Sequence, residues 1–106
     1  MAAMNVNAKQ YEELILGTKP VLVDFWAPWC SYCRRIGPAL DRVADSRNDI
    51  LVVKVNIDEE PDLARQERIE VIPTLVLYQE GFELGSVVAP ESKAAIDRFV
   101  KEALGR

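Results

Sequence analysis

The run Val21-Leu22-Val23-Asp24-Phe25-Trp26 carries one charged side chain in six residues, and it restricts the possible folds more than any other segment. A strand with one wet face alternates apolar and polar residues; a near-continuous apolar run is the pattern of a strand covered on both faces. Pro20 opens it. Leu51-Val52-Val53-Lys54-Val55-Asn56 repeats the pattern as a second inner strand. Inner strands of this kind need helices above and below the sheet, and helical spacing appears between them. Asn7 reads as an N-cap, with Gln10 as half of a capping box, Val6 placed to staple against Tyr11, Leu14 and Ile15 continuing the apolar face and Gly17 as a stop. Ile36, Leu40, Val43 and Ala44 mark the buried side of a second helix, which Pro38 should kink. Pro61 suits the first turn of a short helix to about Glu67. Thr74–Tyr78 and Phe82–Val88 flank Gln79-Glu80-Gly81 as a hairpin. Ser92 caps a last helix that buries Ala95, Ile96, Phe99, Val100, Ala103 and Leu104. The order reads β, α, β, α, β, α, β, β, α, with no residues assigned to the opening strand. Alternation followed by a hairpin implies an α/β protein with a mixed sheet and helices on both faces.

A chain of 106 residues without repeat or linker is read as one domain, 1–106, and as a monomer. The net charge of −4 and the lack of any basic cluster longer than Arg34-Arg35 argue against nucleic acid or an anionic membrane as partner. No segment approaches the roughly 18–20 apolar residues of a membrane span. Met1-Ala2-Ala3-Met4-Asn5 lacks the charged and apolar regions of an export signal. With two cysteines in all, a secreted disulfide framework is excluded, and a reducing compartment, the cytoplasm, is expected.

Those two cysteines, Cys30 and Cys33, follow the first inner strand by a short turn and open the next helix. Unpaired backbone N–H groups and the helix dipole there favour a negative sulfur. A thiolate with a second thiol one turn away can exchange disulfides. Cys30, first in the turn and open to solvent, is the expected nucleophile; Cys33, more deeply buried, resolves the mixed disulfide. A structural zinc ion would need about four ligands, and the chain has no histidine. A bridge across so few residues is a poor staple, because it removes little unfolded-state entropy. Asp24, amid apolar neighbours, should have its pKa pushed up by desolvation unless it points to solvent at an edge. Lys54 interrupts the second inner strand; alone it would be read as solvated. Pro73 can start a strand, where its missing N–H is tolerated. Trp29 is a flat, partly exposed surface beside Cys30, whereas Trp26 and Phe25 are packing residues.

Asp24-Phe25-Trp26-Ala27-Pro28-Trp29-Cys30-x-x-Cys33, Pro38, Lys54-Val55-Asn56-Ile57-Asp58, Ile72-Pro73-Thr74 and Gly81 together resemble the thioredoxin family along the whole chain. The resemblance implies a five-stranded mixed sheet flanked by four helices and a reversible Cys30–Cys33 disulfide. It implies that Pro73 is cis and faces the cysteines, so that Ile72 can pair with an extended substrate. Asp24 would lie beneath Cys33 and exchange its proton, with Lys54 as the partner that tunes it. The substrates would be disulfide-containing proteins. No cofactor would be bound, and electrons would come from a flavin- and NADPH-dependent thioredoxin reductase. Two departures bear on function. Ser31-Tyr32 replaces the usual Gly-Pro, and tyrosine there is commoner in glutaredoxins and bacterial disulfide isomerases. Val88, just before Ala89, takes a position resembling a family glycine on the substrate-facing loop. Tyr32 is expected to bring an O–H or ring near the sulfurs, and Ser31 to hydrogen-bond the thiolate. Both would favour the dithiol, giving a potential less negative than the family value of about −270 mV, toward roughly −200 to −230 mV. The rival functions are a glutaredoxin-like, oxidase or isomerase activity, and a binding module indifferent to redox state.

Overall fold

A computed structural model describes residues 3–105. Met1, Ala2 and Arg106, which include part of the stretch read for an export signal and the ends of the expected domain, lie outside the described residues. The elements are β1 (Met4–Asn5), α1 (Ala8–Ile15), β2 (Val21–Trp26), α2 (Ser31–Ser46), β3 (Leu51–Asn56), α3 (Pro61–Gln66), β4 (Thr74–Gln79), β5 (Phe82–Val88) and α4 (Lys93–Ala103). The sheet runs β1-β3-β2-β4-β5, with β1 and β2 parallel to β3 and the β2–β4 and β4–β5 pairs antiparallel. The opening strand is only two residues long, pairing Met4 with Val53 and Asn5 with Lys54. Two residues carry no periodicity, so composition alone gives it no location.

β2 sits at the centre and sends its side chains alternately to two cores. Leu22, with Val52, Leu75 and Leu77, packs under Ile36, Leu40 and Val43 of α2 and Ile96 and Val100 of α4. Val21, Val23 and Phe25, with Val53, Val55 and Val76, pack against Tyr11 of α1 and Leu63 of α3. This two-sided burial is why the strand is apolar nearly throughout.

The helix ends follow local chemistry. The Asn7 side chain accepts the Gln10 N–H, and the Asn7 N–H donates to the Gln10 side chain, each at 2.9 Å, while Val6 packs into the Tyr11 core. The Ala95 N–H donates to Ser92 Oγ at 3.1 Å and starts α4. Pro38 lies on the exposed side of α2, which continues to Ser46. At the β4–β5 turn Glu80 and Gly81 both take positive φ, 53° and 84°, the two-residue turn whose twist matches a hairpin. The Gly81 N–H donates to Ile15 O at 2.8 Å, tying the turn to the end of α1.

Leu22 is fully buried at the junction of β2, α2 and α4. Leu22→Ala is expected to cost about 2–5 kcal/mol. Urea unfolding would show this as a lower midpoint with an unchanged slope.

Candidate active site

β2 delivers the chain directly to the cysteines. After Trp26 the turn Ala27-Pro28-Trp29 reverses direction, and Cys30 becomes the N-cap of α2 with extended backbone, φ −85° and ψ 108°. The first helical hydrogen bond runs from Arg34 N–H to Cys30 O at 3.2 Å. Cys30 Sγ accepts the Cys33 N–H at 3.1 Å, so a free amide of the first turn is already aimed at the sulfur. When that sulfur is a thiolate the same bond becomes charge-assisted. Cys30 and Cys33 are joined as a disulfide with Cα atoms 5.3 Å apart. Cys30 retains 8% of its surface and Cys33 3%, so both are buried, Cys30 the less so, and Cys30 is not as open to solvent as expected. Trp29 is 67% exposed next to them, its Nε1–H donating to Asp58 Oδ1 at 3.2 Å.

Asp24 shares its sheet face with Leu22, the face covered by α2, and is 1% exposed. Neither carboxylate oxygen has a hydrogen-bond partner among the described residues. Burial pushes its pKa up to about 7, and attraction to the Lys54 ammonium draws it back only in part. Lys54 stands directly beside Asp24 in the parallel β2–β3 register. Yet its Nζ lies 4.3 Å from the centre of the Trp26 ring rather than in an ion pair with the acid. Trp26 is in turn fixed by Nε1–H donation to Asn5 Oδ1 at 2.9 Å. The expectation of Trp26 as packing alone is therefore too narrow: its ring face holds the ammonium that acts on Asp24. A cation over an indole depends on a cross-strand neighbour, which spacing along one strand does not display.

Two further segments close around the disulfide. The Ile72–Pro73 peptide is cis, and Ile72 O lies 4.0 Å from Cys30 Sγ. The Ala89 N–H, just after β5, donates to Pro73 O at 2.9 Å. Tyr32 reaches the sulfurs by its ring and not its hydroxyl: the ring packs against the cysteine cluster, and the O–H donates to the carbonyls of Ala89 and Pro90, at 3.2 and 3.1 Å. Ser31 is exposed in the first turn, and the N–H given to Cys30 Sγ is that of Cys33. Val88 is the last residue of β5, paired with Thr74, and Ala89 after it takes left-handed backbone, φ 47°. Trp29, Val71 and Val88 are exposed apolar side chains on the segments that meet at the disulfide. Among the described residues no group of three or more His, Cys, Asp or Glu side chains could hold a metal ion.

A strand–turn–helix that carries a buried acid on the strand and paired cysteines at the helix start, edged by a cis-proline segment and exposed apolar side chains, defines a thiol–disulfide oxidoreductase. Residues 2–102 match the family model described as Thioredoxin. The chain is 41% identical over 97 residues to thioredoxin 1 of Synechococcus elongatus, covering 91% of each protein. It is 35% identical over 99 residues to the bifunctional thioredoxin reductase/thioredoxin of Mycobacterium leprae, covering 92% of this chain and 22% of that longer protein. Its fold superimposes on the crystal structure of Malassezia sympodialis thioredoxin with a TM-score of 0.86 at 26% identity, over 96% of this chain and 90% of the other. The chain belongs to the thioredoxin family.

The buried acid makes stability depend on pH in a set direction. Its folded-state pKa of about 7 lies above the ~3.9 of an unfolded aspartate, so the folded protein keeps a proton that the unfolded chain releases. Stability should fall as pH rises from about 4 to 7 and level off above, by on the order of 4 kcal/mol in all. Asp24→Asn should flatten that slope and leave the protein more stable than the parent at pH 8, measured by denaturant titration across pH.

Proposed function

We propose that this protein reduces disulfides in other proteins and is recharged by a flavin- and NADPH-dependent thioredoxin reductase. The Cys30–Cys33 pair at the α2 N-terminus, on the sheet face that buries Asp24, carries the reading. In the reduced protein the Cys30 thiolate attacks one sulfur of the substrate disulfide. That bond breaks, a mixed disulfide forms, and the other substrate sulfur leaves as a thiolate. Cys33 gives up its proton, with Asp24 as acceptor through water, and attacks Cys30 Sγ. The mixed bond breaks, the substrate departs with both sulfurs reduced, and Cys30–Cys33 is left oxidised; two electrons have passed from dithiol to substrate. The short tether makes the second step unimolecular and fast. An acid with pKa near 7 is suited to this transfer at neutral pH, since it accepts and returns a proton at little cost.

Lys54, held over Trp26, tunes that acid. Trp29, Ile72, cis-Pro73, Val88 and Ala89 form the surface that receives the substrate, with the backbone of Ile72 pairing with an extended segment. The reductase partner is supported by the Mycobacterium leprae relative, whose name joins a reductase and a thioredoxin. A reducing compartment such as the cytoplasm suits a chain whose only cysteines are the redox pair. Among the described residues no helix is long and apolar enough to cross a membrane. Nothing in the charge pattern favours nucleic acid, and the protein acts as a monomer with no bound cofactor.

Insulin reduction followed by turbidity, with NADPH and thioredoxin reductase, tests the reading. Robust turnover is expected, and turnover supported by glutathione alone would instead place the protein with the glutaredoxins. Cys33→Ser should hold substrates as mixed disulfides on Cys30, and Asp24→Asn should slow their release more than their formation. The dipeptide Ser31-Tyr32 is proposed to set the potential above about −270 mV, because a chain without the usual proline can relax in the dithiol form. Equilibration against a glutathione buffer measures it, and a value at or below that of the family would contradict the proposal.

A further inference from the structure

We infer that Tyr32 is a positioning residue for substrate recognition: its hydroxyl latches the loop after β5 to α2 and thereby favours disulfides carried on extended polypeptide over small disulfides. The inference rests on the disulfide-reductase reading above and adds the side chain that holds the substrate-facing loop in place.

Contacts form a closed ring around the disulfide. Cys30 Sγ meets Ile72 O at 4.0 Å, Pro73 O accepts the Ala89 N–H at 2.9 Å, and the Ala89 and Pro90 carbonyls face the Tyr32 hydroxyl at 3.2 and 3.1 Å. Tyr32 returns the path to the cysteines, because it lies between Cys30 and Cys33 in the chain. A phenolic O–H has one proton, so the two carbonyls share it. This hydroxyl ties α2 to the loop segment after β5.

The loop needs the restraint. Ala89 has φ 47°, a conformation that costs an alanine about as much as a hydrogen bond in a folded protein contributes. Its N–H is held by Pro73, its carbonyl by Tyr32, and the buried Pro90 after it has a fixed φ of its own. Without the hydroxyl, one of these holds is gone and Ala89 is free to return to negative φ. Val88 and Ala89 would then shift relative to Ile72. An extended peptide laid along Ile72 must fit between these two segments, whereas a small disulfide needs only to reach Cys30 Sγ.

The ring of Tyr32 is secured independently of its hydroxyl. It packs against both the α2–α4 core and the cysteine cluster, and the Arg35 guanidinium lies 5.8 Å from its centre. Tyr32→Phe therefore removes the latch and keeps the packing.

In Tyr32→Phe the KM for insulin is expected to rise about five-fold, the loss of one hydrogen bond, with kcat unchanged. The rate of the reduced protein with bis(2-hydroxyethyl) disulfide should stay within about two-fold of the parent. Hydrogen exchange at the Ala89 amide, read by NMR without any substrate, should quicken in Tyr32→Phe by about five-fold or more. An unchanged insulin KM, or equal slowing with insulin and the small disulfide, overturns the inference; so does an unchanged Ala89 exchange rate. If the parent protein fails to reduce insulin, the reductase reading falls, and the Ala89 exchange rate still decides whether the latch exists.

Discussion

The burial of β2 on both faces is the constraint on which the rest of this molecule depends. Alternate residues of one strand anchor α1 and α3 on one side and α2 and α4 on the other. Because the strand is rigid, the turn after Trp26 is launched from a fixed point, and Cys30 arrives where the first N–H groups of α2 are unpaired. The same two-sided burial encloses Asp24. A carboxyl on this strand is taken out of bulk solvent, and its raised pKa follows from its place in the fold.

Asp24 is a cost the core must bear. Replacing a buried apolar residue by an unpaired acid weakens a fold, yet it is burial that brings this acid to titrate near neutrality. Lys54 sets how far this goes. An ammonium in contact with the carboxylate would hold it charged, in the ordinary range of an acid; an ammonium drawn 4.3 Å over the Trp26 ring lowers it less. Asn5 of the two-residue β1 fixes that indole. A strand too short to add much to the sheet thus contributes to the electrostatics of the site.

What could be seen in the residues alone follows from the range of the forces involved. Apolar runs and caps act over a few neighbouring positions, so β2, β3, the Asn7–Gln10 box, the Ser92 cap and the Glu80-Gly81 turn were all visible. The cysteine pair was visible because its chemistry needs both sulfurs on one helical turn. The contact of Lys54 with Trp26, the aim of the Tyr32 hydroxyl and the left-handed Ala89 were not. Each depends on which atom of a distant segment is opposite. The apolar bulk of Trp26 is evident in sequence and the use of its ring face is not.

The dipeptide Ser31-Tyr32 shows how rigidity can move without being lost. Where the family usually has proline between its cysteines, the ring itself restricts the chain, and the restraint is local and covalent. Tyrosine gives up that restraint and reaches across to Ala89 and Pro90, so stiffness is supplied by a hydrogen bond between two segments. The two solutions differ in what they hold: proline fixes the turn around the sulfurs, whereas tyrosine fixes the wall of the groove. The first bears mainly on the balance between dithiol and disulfide, the second on which substrates fit. In such a site the two properties rest on different atoms, redox poise on the freedom of the backbone between the cysteines and partner choice on the tyrosine hydroxyl, so that loss of the hydroxyl alone separates them.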